Sequence, residues 1–116
     1  MSYVAGFVAA VPKEGKAAYL DYAARAAELF REYGATRCVE CWQDEVPEGK
    51  VTDFFRAVQA SEAEAVVFSW LEFPSKEVWQ SAMERMMQDP RMEALGEMPF
   101  DGRRMIYGGF APILEV

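Results

Sequence analysis

Cys38-Val39-Glu40-Cys41 spells a C-x-x-C motif, and two thiols at that spacing serve redox proteins when they open a helix, where the dipole favours a thiolate. Here the flanking residues alternate as in a strand. Residues three apart on a strand point to opposite faces, and at about 3.3 Å per residue their Cα atoms stand about 10 Å apart, beyond disulfide reach. The two cysteines therefore read as half-buried thiols of a sheet. The chain has no histidine, which removes serine-histidine and cysteine-histidine pairs and histidine-ligated zinc, iron or haem. Chemistry is left to carboxylates, Lys, Arg, Tyr and the two thiols.

Carboxylates set among aromatic rings are the stronger signal. Alternation places Val39, Cys41, Val67, Ser69 and Leu71 on one side of a sheet and Glu40, Trp42, Phe68, Trp70 and Glu72 on the other. Rings beside a few polar groups suit a small-molecule pocket, because the rings give apolar contact and the polar groups fix orientation. A carboxylate kept from water in such a pocket can act as a general base. Glu40 is the first catalytic candidate and Glu72 the second, with Trp42, Trp70, Tyr107, Phe7 and Arg56 as the substrate-binding set. The competing reading leaves both acids in solvent and uses the rings only to seal a dimer interface. No metal is expected, since the acidic loop at residues 44–50 lacks calcium-loop spacing. No cofactor is expected either: the chain offers no axial histidine for haem and no dinucleotide fingerprint.

These residues need a scaffold, and the apolar pattern outlines one. Residues 3–11 are apolar on both parities, as in a strand buried on both faces. Pro12 ends that run, and Leu20, Ala23, Ala27 and Phe30 then recur at helical spacing until Gly34. Residues 36–42 alternate as a strand. Residues 52–60 fit either a strand or a short helix capped by Asp53, and the strand is the reading adopted. A strand over 66–73 is followed by the break and N-cap Pro74-Ser75 and by a helix carrying Val78, Trp79, Ala82, Met83, Met86 and Met87. That methionine stripe reads as core packing. Residues 105–110 supply the last strand, in which Gly108-Gly109 predicts a bulge or the close approach of a neighbour.

The order is that of a ferredoxin-like βαββαβ sandwich, an α+β fold, with residues 52–60 as one extra short strand. Its length of 116 residues allows one domain, residues 1–116. Two helices cover only one face of such a sheet, so the apolar residues of the other face call for a second copy of the chain. The net charge of -7 argues against nucleic acid and anionic lipid as partners. No apolar run approaches the ~20 residues of a membrane span, and the first residues lack the features of a signal peptide, so the expected location is the cytoplasm.

Several stretches, among them Tyr3-Val4-Ala5-Gly6-Phe7-Val8, Val39-Glu40-Cys41-Trp42, Val66-Val67-Phe68-Ser69-Trp70 and Met98-Pro99-Phe100-Asp101-Gly102-Arg103-Arg104, resemble the YbaA-like bacterial proteins of unknown function. The resemblance spans nearly the whole chain. It implies the dimeric α/β-barrel superfamily, in which two ferredoxin-like protomers set their open sheet faces together. That superfamily includes cofactor-free monooxygenases, degradative enzymes and members without known activity, so the resemblance transfers a shape and an assembly rather than a reaction. Ala5 stands where an acid is usual in the family, Cys38 where an aliphatic is usual, and Trp79 where a polar residue is common. The expected protein is therefore a homodimer with a pocket for a small apolar or aromatic compound.

Overall fold

A computed structural model describes residues 2–116. Strand β1 (Tyr3–Pro12) passes through a 3-10 turn into helix α1 (Lys16–Glu32), and β2 (Arg37–Trp42) follows. The short helix α2 (Phe54–Ala57) precedes β3 (Glu64–Phe73), after which come α3 (Lys76–Gln88), the single turn α4 (Pro90–Glu93), a second 3-10 turn and β4 (Ile106–Phe110). The strands form one antiparallel sheet in the order β2-β3-β1-β4. Helices α1 and α3 pack on the same face of it, where Leu29 and Ala82 meet Tyr3 and Phe73. The fold is thus α+β, a sheet with one helical layer.

Local chemistry sets the element ends. Gly34 closes α1 at φ +119°, where a Cβ would also lie 2.6 Å from Val78 Cγ1, so glycine is required twice over. Ser75 starts α3 by accepting the Val78 N–H at 3.2 Å, and Asp89 ends it while capping α4 through the Arg91 N–H at 2.8 Å. The strand β4 pairs with β1 in regular register without a bulge. Gly109 answers the other expectation, close approach: a Cβ there would sit 2.8 Å from Tyr3 Cε2.

Two expectations are corrected. Helix α1 buries Tyr19, Ala26 and Leu29, while Leu20, placed in the expected stripe, is exposed. An alanine-rich helix gives little periodic contrast, so its phase follows the bulky side chains that can reach the sheet. Residues 52–60 form no strand, and the sheet has no fifth member among the described residues. Asp53 instead accepts the N–H groups of Arg56 at 2.7 Å and Gly49 at 3.1 Å, which ties the acidic loop to the start of α2.

Beyond α2, Val58 is carried onto Val8, Ala10 and Val66, sealing one end of the sheet face opposite α1 and α3. Phe54 of α2 meets Phe68 edge-on at 6.0 Å, and much of the rest of that face is open. Phe68, Ile106 and Phe110 are 48%, 46% and 61% exposed, and with Val4 and Trp70 they border a shallow apolar hollow.

Candidate functional site

Under the helices the core is split. One cluster joins Tyr3, Leu29, Tyr33, Ala35, Phe73 and Ala82, and a second joins Ala9, Val11, Tyr19 and Val67. Between them lies a cavity of about 500 Å³, inside the range of roughly 300–1,000 Å³ common for small-molecule sites. Residue size explains it. Helix α1 offers Ala23, Ala26 and Ala27 where a packed sandwich would carry large side chains, and β1 offers Ala5. Trp79, Met83 and Met86 form the α3 wall, and the chain after α4 closes the space with Met98, Phe100 and Met105.

The closing segment is tied at both ends. Tyr33 donates its hydroxyl to Asp89 at 2.7 Å, and Arg91 bridges Asp89 and Glu32. Burial first, then the bond to Asp89, pushes the Tyr33 phenol up to about 12. Arg104 pairs with Glu64 at 2.6 Å and Asp101 at 3.2 Å and donates to the Gln59 carbonyl at 2.7 Å. The guanidinium of Arg104 draws the Glu64 carboxyl down to about 2, and that of Arg103, with help from Arg104, draws Asp101 down to about 2. These pairs fix where the 90–105 segment crosses the cavity.

Glu40 is the one charged residue that lines the cavity among the described residues. The β2–β3 register sets it opposite Ser69, and its Oε1 accepts hydrogen bonds from Ser69 Oγ and Tyr19 Oη, each at 2.5 Å. Ser69 and Tyr19 are 1% and 3% exposed, whereas Glu40, on the edge strand, is exposed, so its carboxylate is not kept from water as the pocket reading expected. Burial, followed by the bond to Glu40, raises the Tyr19 phenol well above its ordinary range, so it remains a donor at neutral pH. Two hydroxyls thus fix one carboxylate oxygen, and Oε2 has no hydrogen-bond partner among the described residues.

The same register corrects the expected faces. Val39 lies opposite Trp70 and Cys41 opposite Phe68, so Glu40 and Trp42 share the helix-covered face with Ser69 and Val67 rather than the open face with Phe68, Trp70 and Glu72. A one-residue slip in pairing turns every side chain over, and alternation within each strand cannot reveal it. Of the candidate residues, Glu40, Phe7 and Tyr107 meet at the cavity. Trp42 packs beside it, against the Ala9 cluster, with Lys16 Nζ 5.2 Å from its ring centroid. Trp70 and Glu72 lie on the open face, bonded to each other at 2.9 Å, and Glu72 also pairs with Arg37 at 3.4 Å. Arg56 is exposed on α2, 3.8 Å from Asp53. Cys38 and Cys41 are free and face opposite sides of the sheet.

Tyr19, Tyr22 and Ser69 are polar residues the sequence reading did not place in the site. A lone hydroxyl inside the apolar run of β3 was the available signal, since a buried serine needs a partner.

Residues 2–102 match the family described as "Protein of unknown function (DUF1428)", and the chain belongs to that family. It is similar to "Uncharacterized protein YbaA" of Escherichia coli (strain K12), at 62% identity over 116 residues and 99% of both chains. The protein of the same name in Shigella flexneri matches at the same 62% identity and 99% coverage. The YbaA-like resemblance seen in the residues is correct. No helix among the described residues is long and apolar enough to cross a membrane.

Proposed function

We propose that the protein binds a small apolar molecule in the helix-side cavity and works as a homodimer of ferredoxin-like protomers. The cavity carries the reading: an opening of about 500 Å³ between two core clusters, with Glu40 as its one charged wall residue. Glu40 Oε2 takes the hydrogen bond or proton of the ligand, with Phe7 and Tyr107 at the wall beside it, and the cavity methionines hold the apolar body. In an oxygenase-like reaction without a cofactor, Glu40 would remove a proton from an acidic C–H or O–H bond, and the electron pair left on the ligand would reduce dioxygen.

The ferredoxin-like assignment is supported by the strand order and by both long helices lying on one face. Dimerisation is supported by the uncovered Phe68, Ile106 and Phe110 beside Trp70. Joining two such faces into an α/β barrel would bury on the order of 1,600 Å². Trp70 and Glu72 then belong to the seam rather than to the pocket. Two free thiols that cannot reach each other fit a reducing, cytoplasmic setting.

Native mass spectrometry of the protein purified from its own host tests both parts together. The expected species is a dimer carrying a small molecule that is released on collisional activation. Bare monomers at micromolar concentration would overturn the proposal.

A further inference from the structure

The walls of the cavity also define the charge of what enters it. Glu40 lines it, and among the described residues neither lysine nor arginine does. An anion would lose its water beside a carboxylate with no counter-charge to offset the loss. A cation gains a charge-assisted contact with Glu40, which is stronger than the bond a neutral donor would make. The rings point the same way, because aromatic faces attract cations. Phe100 lies tilted with its ring centroid 5.8 Å from that of Tyr19, the residue that holds Glu40, so one ring is fixed near the carboxylate. Methionine side chains complete the lining, and their flexible thioethers adapt to apolar bodies of varied outline.

We infer that the cavity takes a lipophilic organic cation, with its amine or ammonium head at Glu40 Oε2 and its apolar body along Met83, Met86 and Met98. This rests on the proposed ligand-binding role of the cavity and adds the sign of charge it selects.

Phenylbutylamine, phenylbutanol and phenylbutyrate share one shape and differ in charge. Isothermal titration of the full chain with each at neutral pH, combined with methionine methyl NMR to locate the bound probe, separates the possibilities. The amine should bind severalfold more tightly than the alcohol, and the acid more weakly than both. Glu40→Gln should remove the advantage of the amine over the alcohol, since its amide oxygen still accepts from Tyr19 and Ser69 while the charge at the ligand's head is gone. The comparison of three probes on the unaltered protein stands without any variant. Equal affinity for amine and alcohol, or tighter binding of the acid, with shifts still at the cavity methionines, would overturn the charge selectivity and leave an apolar binding site. No shift at those methionines with any probe would overturn the binding site itself.

Discussion

Replacing Ala27 with leucine sets the open cavity against a closed core. Ala27 lines the space and belongs to neither of the clusters that flank it. The change adds three carbon atoms, and burying them at roughly 0.8 kcal/mol each contributes about 2 kcal/mol. Lost rotamer freedom of the leucine removes roughly 0.5–1 kcal/mol of that. The net gain of about 1–2 kcal/mol corresponds to a rise in Tm of roughly 3–10 °C for a chain of this size. In a tightly packed core the same atoms would force neighbours off their rotamers and cost roughly 1–3 kcal/mol. Thermal and urea unfolding of Ala27→Leu beside the unaltered protein therefore decide by sign. A lower Tm would refute the reasoning. The leucine also occupies space a ligand needs, so affinity for phenylbutylamine should fall at least tenfold, and a stabilised variant with unchanged affinity would put the ligand elsewhere.

Three further outcomes are expected. Gly109→Ala drives a Cβ into the Tyr3 ring and should cost roughly 1–3 kcal/mol in urea unfolding; unchanged stability would mean that Tyr3 is free to move away. Glu64 and Asp101, lowered to about 2 by arginine partners, contribute stability that is complete above their unfolded values of roughly 4 and is lost as pH falls toward the folded ones. Arg104→Leu should therefore lower Tm at neutral pH and flatten its decline on acidification, and a Tm-against-pH curve identical to that of the unaltered protein would refute the role of the clasp. Phe68→Lys puts a charge in the middle of the open sheet face and should yield folded monomers by sedimentation velocity; a persistent dimer would place the interface elsewhere.

Some of this was legible in the residues and some could not be. The double-sided apolar runs of β1 and β3, the Ser75 cap and the Gly34 stop are local signals, and they are where the chain places them. The face of Glu40 is a long-range matter. It depends on which β3 residue pairs with it, and Ser69 rather than Phe68 or Trp70 is the answer. The short helix α2 turned on one side chain, Asp53, whose hydrogen bonds outweighed the alternation of Phe54, Arg56 and Val58. The cavity escaped because it is made by what Ala23, Ala26 and Ala27 lack. Small residues on a helix read equally well as close helix–sheet contact, and only the positions of Trp79 and the closing segment show that they border open space.

A crystal structure of the protein soaked with phenylbutylamine would show whether the cavity is open and occupied. Density for the ligand is expected between α1 and α3, with its nitrogen about 3 Å from Glu40 Oε2 and its ring against the methionines of α3. A cavity collapsed around Met83 and Met86, or an amine seated only on the open sheet face beside Phe68, would contradict it.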